Sequence, residues 1–231
     1  MPILLYCVTQ AKESVSIAAG VCDSVVESHE LAGLRFYWSE IANLAEWSGD
    51  AELLKKVALQ FQQVLRQVLP AITPLPFPFP TLMENMVEME NHLAAEQELY
   101  RAALERIGDA VQYEIVASWA ADEQTDLAKP VSGREYARRR HEVALRVAAV
   151  ESKLKGVTGD SVQEWRGRQE RKTHRWFALV PRKERERFIT SLRSAGPSGG
   201  VRLRLSGPWP PSEFVTPPGS ADRQTNSEAL S

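Results

Sequence analysis

Between Thr73 and Pro80 every second residue is proline: Pro74, Pro76, Pro78 and Pro80 alternate with Leu75, Phe77 and Phe79. Proline has no backbone N–H and a fixed φ, so the stretch excludes a helix and a central strand. In an extended chain alternate residues point their N–H groups to the same side. The prolines therefore strip the donors from a single edge, while Leu75, Phe77 and Phe79 keep theirs on the other. An edge strand or a polyproline-like connection is predicted, able to pair on one side only. The same prolines break the most apolar run, Val68 to Met83, which is too short and too interrupted to span a bilayer as a helix.

The residues before this stretch read as strands and then a helix. Ile3 to Val8 is a short apolar run that suits a buried strand. Val25 to His29 and Leu34 to Trp38 form a predicted hairpin around Ala32-Gly33, with Leu34, Phe36 and Trp38 alternating with Arg35 and Tyr37. From Ala51 to Leu69 the period becomes helical. Leu54, Val57, Ala58, Phe61, Val64, Leu65 and Val68 share one stripe, and Asp50 stands at the N-cap position. After the prolines, Thr81 to Ile107 is a second predicted helix whose stripe includes Met86, Met89 and Leu93. A stripe bearing methionines is either core or an adaptable binding groove. Ala110 to Trp119 reads as a further strand.

Residues 121–132 are polar and proline-marked, as expected of a linker or exposed loop. Ser132 with Glu135 has the form of a capping box. The helix that follows, to about Lys155, carries a narrow stripe of Tyr136, Val143, Val147, Val150 and Leu154 at nearly heptad spacing, which suits an exposed arm or hairpin. Asp160 to Lys172 is expected to return as the second helix of that hairpin. Trp176 to Val180 reads as a strand, Arg182 to Arg193 as a helix and Val201 to Ser206 as a last strand, after a glycine-rich turn at 196–200. The expected class is α+β in two domains. Residues 1–120 form an N-terminal α+β domain and residues 133–215 a C-terminal α+β domain with a helical arm; 216–231 form a disordered tail.

Charge is divided unevenly along the chain. Residues 1–133 hold 8 Lys+Arg against 19 Asp+Glu, a net −11, whereas residues 134–193 hold 17 against 8, a net +9. Such a split marks mutual attraction of the halves, oppositely charged neighbours in an assembly, or nucleic-acid contact through the basic segment 134–193. The last is the weaker reading, because Glu142, Glu164, Glu170, Glu184 and Glu186 interrupt the basic run. Cys7 and Cys22 lack metal-binding spacing and suit small buried apolar roles in a reducing compartment. His29, His92, His141 and His174 show no metal spacing, and no phosphate-binding glycine loop, nucleophile elbow or zinc motif occurs. No cofactor, no catalytic residue and no metal ligand is expected. An enzyme would need a site assembled from distant residues. The N-terminus lacks the basic region and long apolar core of a signal peptide, so a cytoplasmic protein without membrane contact is expected.

The most distinctive segment is Leu205-Ser206-Gly207-Pro208-Trp209-Pro210-Pro211-Ser212-Glu213-Phe214-Val215. Gly207 allows a sharp exit from the last strand, and three prolines present Trp209 and Phe214 on a stiffened backbone. Trp209 is expected either to cover a sheet end or to anchor a partner at low entropic cost. This segment resembles the C-terminal signature of the gas vesicle protein L/F family, which usually reads L-[TS]-G-P-W-P-P-Y-S-F-V. Leu4-Leu5-Tyr6-Cys7-Val8 is similar to that family's opening strand. Val68-Leu69-Pro70 through Phe77, Phe79 and Thr81 is similar to its V-L-P-[LF]-R-F-G-T segment, and Ala178-Leu179-Val180 to its A-[FY]-L-V stretch. Pro78 and Pro80 stand where the family tends to have Arg and Gly, and Ser212-Glu213 replaces its Tyr-Ser. The resemblance implies a ferredoxin-like C-terminal part with a helical hairpin. It further implies a non-enzymatic role in gas vesicle assembly, with the small hydrophobic shell protein and other accessory vesicle proteins as partners. On that basis Trp209, Phe214, Met86 and Met89 are the expected contact residues.

Overall fold

The computed structural model describes residues 1–11, 14–42, 47, 50–119, 132–169, 173–194 and 201–215. These form two compact units, one of Met1–Ala110 together with the chain from Trp209 onward, the other of Val111–Pro208. The glycine-rich turn at 196–200, the linker residues 121–131 and the tail from 216 lie outside the described residues.

The first unit holds a four-stranded sheet of order β2-β3-β1-β4. Its strands are β1 (Ile3–Gln10), β2 (Glu27–Leu31), β3 (Leu34–Glu40) and β4 (Leu75–Met83). Ala32 and Gly33 turn the β2–β3 hairpin with positive φ at both, 53° and 80°. β1 is buried at every position from Ile3 to Thr9, because a helix covers each face of its sheet. On one face Tyr6 packs against Phe61 of α1 (Ala51–Val68), with ring centroids 5.4 Å apart and the rings tilted by 38°. On the other, Phe36 and Phe77 meet Tyr100 of α2 (Met86–Ile107) edge-on at 5.9 and 5.6 Å. Asp50 caps α1 by accepting the N–H groups of Glu52 and Leu53. Of the expected α1 stripe, Val57, Phe61, Val64, Leu65 and Val68 are buried; Leu54, in the first turn, is exposed instead.

β4 is an edge strand hydrogen-bonded to β1 alone, as one-sided donors require. The period-two pattern does not run through it unbroken, however. Leu75 and Pro76 pair with Val8 and Cys7, and Thr81 to Met83 pair with Leu5 to Ile3. The register shifts between Leu5 and Cys7, so Phe77–Pro80 form a bulge opposite Tyr6. Phe77 and Phe79 consequently serve opposite faces: Phe77 meets Tyr100 of α2, whereas Phe79 meets Phe61 of α1 at 5.2 Å and Trp47 at 6.5 Å. The second helix begins at Met86 rather than Thr81, because Thr81 to Met83 complete the strand and Asn85 caps the helix through the Glu88 N–H.

One buried polar chain ties the segment before β2 to this sheet. The Tyr6 hydroxyl donates to Ser39 Oγ at 3.0 Å and accepts the Val21 N–H at 3.0 Å, while Ser39 donates to the Val25 carbonyl at 2.7 Å. A Cβ on Gly20 would lie 2.6 Å from the Tyr6 hydroxyl and 2.7 Å from Ser39 Oγ, so only glycine passes there. Cys7 is buried and its thiol pKa is pushed up by that burial. Cys22 is exposed in a left-handed turn, not the buried apolar residue expected of it.

The second unit is built from β5 (Ala110–Trp119), α3 (Gly133–Thr158), β6 (Glu164–Gln169), β7 (His174–Pro181), α4 (Arg185–Ser194) and β8 (Val201–Trp209). The sheet order is β6-β7-β5-β8. A β-α-β-β-α-β chain with that order is the ferredoxin-like arrangement. β5 bonds to β7 and β8, so it belongs with this sheet and not with an N-terminal domain ending at residue 120. The expected helical hairpin is also corrected: α3 is followed by a strand, with Trp165 opposite Ala178 and Arg168 opposite Arg175. Charges at Glu164, Arg166 and Arg168 alternate with Trp165 and Gly167, which is strand period; among many charged residues it passed for a polar helix. α3 starts at the Ser132 cap, where Ser132 Oγ accepts the Glu135 N–H, and runs past Gly156 to Gly159, whose φ of +51° ends it.

Tyr6→Phe should cost about 1–3 kcal/mol, because the buried Val21 N–H loses its acceptor. Combining it with Ser39→Ala should cost less than the sum of the two single changes, since both break one hydrogen-bonded chain. Urea denaturation of the single and double variants measures both quantities.

Candidate functional site

The proline-rich exit from β8 is shaped by close backbone contact. Gly207 has φ +125°, and a Cβ on it would meet the Gln112 carbonyl oxygen and the Tyr113 ring, each at 2.9 Å. Within the second unit, only glycine lets β8 lie this close to β5. Its neighbour Glu114 accepts from Arg175 at 2.6 Å and from Ser206 at 3.1 Å, which fastens β5 to both flanking strands. The Gly207–Pro208 peptide is cis.

From Trp209 the chain belongs to the first unit. The Arg66 guanidinium of α1 lies over the Trp209 ring, 4.8 Å from its centroid, in cation–π geometry. Pro210 and Pro211 are buried, and the next residues form a single tight turn. In it the Ser212 N–H donates to the Pro210 carbonyl at 2.8 Å and the Phe214 N–H to the Pro211 carbonyl at 3.0 Å. That turn delivers Phe214 into the interior, where none of its surface is exposed. Trp209 stays half-buried.

A family model described as gas vesicle synthesis protein GvpL/GvpF matches residues 2–216. The chain belongs to the GvpL/GvpF family. Its fold is also that of solved GvpF structures. The crystal structure of gas vesicle protein GvpF from Anabaena sp. PCC7120 superposes with a TM-score of 0.71 at 14% identity, covering 94% of this chain and 96% of that one. GvpF from Microcystis aeruginosa gives 0.73 at 14% identity, covering 94% and 99%. No curated protein sequence gives a match.

Within this GvpL/GvpF fold the four expected contact residues divide into two pairs. Met89 and Phe214 are fully buried and are core residues; a side chain with no exposed surface has nothing to offer a partner. Met86, in the first turn of α2, and Trp209 are half-buried and keep a surface. Arg66 is the member of the site that sequence reasoning missed: it sits in the last turn of α1, where a basic residue reads as a complement to the helix dipole. The two tryptophans of the basic segment are engaged in packing. Trp176 is buried, and Trp165 packs on Phe188 at 6.5 Å.

Several titratable groups are shifted by their surroundings. Among the described residues no group of three or more His, Cys, Asp and Glu is placed to hold a metal. Tyr100 is pushed up to about 12 by burial, with the Glu96 charge adding to it. In the second unit Glu151 accepts from Lys155 at 2.6 Å and from Trp176 Nε1 at 3.4 Å, and those bonds, that of Lys155 first, hold its carboxyl below the usual range. His174 stacks near Trp176, ring centroids 4.4 Å apart, and burial lowers its pKa from the ordinary 6.5, against the opposing pull of Glu151.

Phe214→Ala should lower stability by about 3–5 kcal/mol, the range for deleting a buried aromatic; thermal and chemical denaturation measure it. A second expectation concerns pH. A histidine whose folded pKa is depressed favours the neutral form, so its stabilisation is present above the unfolded value near 6.5 and is lost as pH falls through the lower folded value. Melting temperature should therefore drop between about pH 7.5 and 5 in the parent and drop less in His174→Gln.

Proposed function

We propose that this chain is a non-enzymatic accessory or minor structural component of gas vesicles that binds the small hydrophobic shell subunit and supports vesicle assembly, acting in the cytoplasm and at the vesicle. Membership of the GvpL/GvpF family supports the vesicle role. The observation that carries the binding role is Trp209, a large aromatic left half-buried, fixed between prolines and clamped by Arg66. A preorganised aromatic binds with little loss of conformational entropy, and tryptophan and arginine are the residues most often dominant in protein interfaces. Shell subunits that are apolar before assembly need a partner that covers them. Burial of Phe214 supplies the anchorage that frees Trp209 for contact. Among the described residues no helix is long and apolar enough to cross a membrane.

The test is co-expression with the shell protein followed by pull-down and a melting curve on the same variants. Trp209→Ala should leave the protein folded and weaken shell-protein capture by about 2 kcal/mol or more, roughly thirty-fold. Unchanged capture by a folded Trp209→Ala protein would remove Trp209 from the interface.

A further inference from the structure

The outward face of α1 is basic in a part of the chain that is otherwise acidic. Residues 1–110 hold 7 Lys+Arg against 15 Asp+Glu, a net −8, but α1 carries Lys55, Lys56 and Arg66 against Glu52 alone. All three cations are exposed. Other arginines of the first unit are engaged within it: Arg35 pairs with Glu30, and Arg101 with Glu98. Among the described residues no hydrogen bond or ion pair engages Lys55, Lys56 or Arg66; the one contact of this group is that of Arg66 with Trp209.

The cations are also in line with apolar surface. At about 100° per residue Lys55, Leu59, Gln62 and Arg66 share one line along the helix. It lies opposite the buried Val57, Phe61, Val64 and Val68. Leu59 is 59% exposed in the middle of it. From Lys55 to Arg66 the line is about 16 Å long, at about 1.5 Å per residue. It ends at Trp209, which belongs to the same unit and whose ring lies under the Arg66 guanidinium. A guanidinium on a ring face keeps its fork of N–H donors, and that fork matches a carboxylate bidentately.

Resting on the shell-binding role proposed for Trp209, we infer that this line of α1 docks an acidic amphipathic helix of the shell subunit. Carboxylates about three turns apart on that helix reach the lysines at one end and Arg66 at the other. Apolar side chains between them cover Leu59 and the exposed part of Trp209. An exposed helix presents a ridge along which a second helix packs, at about 8–10 Å between axes. A long polyanion fits less well, because the acidic residues around α1 repel it, whereas a few carboxylates meet only the cations that lack partners. The contact joins surface charges, so it weakens with salt.

Capture of co-expressed shell protein by the full chain tests this. Raising NaCl from about 50 to about 500 mM should lower capture about tenfold. Lys55→Glu with Lys56→Glu, remote from Trp209, and separately Arg66→Glu, should each melt close to the parent and lower capture about tenfold or more. Replacing the shell protein's carboxylates by lysine one at a time should restore capture by one of these variants. Capture that Trp209→Ala removes but that salt and both charge variants leave unchanged overturns the acidic partner and leaves the shell-binding role standing. A parent chain that captures no shell protein overturns both. A carboxylate scan with no restoring position overturns the docking of an acidic helix, as does capture that nuclease abolishes, which would assign these cations to nucleic acid.

Discussion

Burial of β1 on both faces and along both edges is the constraint on which the first unit depends. α1 covers one face through Phe61, α2 the other through Tyr100, and β3 and β4 take the two edges. A strand so enclosed has no access to water, so a polar atom on it is costly to leave without a partner within the protein. Tyr6 is the position where this bites. Its hydroxyl is satisfied by Ser39 and by the Val21 N–H, and meeting that need pulls the irregular segment around Gly20 against the sheet. The glycine, the tyrosine and the serine are far apart in sequence but answer one requirement.

The same enclosure explains what could be read from residues alone. Apolar continuity in β1 and the α1 stripe beyond its first turn match their burial, and the capping residues Asp50 and Ser132 mark real helix starts; β3, expected to be half-buried, is instead buried on both faces from Phe36 to Ser39. The prolines of β4 correctly excluded a second hydrogen-bonded edge. They could not reveal that Phe77 and Phe79 face opposite ways, because the bulge depends on the register with β1, a partner about seventy residues earlier. In the second unit β6 was missed for a similar reason. Its charges alternate at strand period, but only pairing with β7 makes an extended segment favourable over a charged helix.

Legibility of the candidate site was partial as well. The Gly-Pro-Trp-Pro-Pro segment stood out by composition, and it carried the family assignment. Which of its aromatics is inside depends on the turn at Ser212–Phe214 and on Arg66 beneath the tryptophan. Neither is written in the segment itself. Proline stiffness predicts that two aromatics will be held firmly, and the fold then sends one inward and leaves the other at the surface. Methionine behaves likewise on α2, where a shift of three residues separates buried Met89 from half-buried Met86.

The return of the chain to its first unit has a temporal consequence. Residues 111–208 are inserted between Ala110 and Trp209, so the first unit lacks Phe214 until the whole of the second has been made. At ribosomal speeds of about 5–20 residues per second, that interval is roughly 5–20 s. During it β1 to α2 wait as an incomplete body while the second unit forms. A polypeptide broken off anywhere before the proline-rich exit therefore lacks Phe214 and the turn that buries it, however complete its sheet. Burial of Phe214 thus comes last in synthesis, in the same short segment as the surface tryptophan.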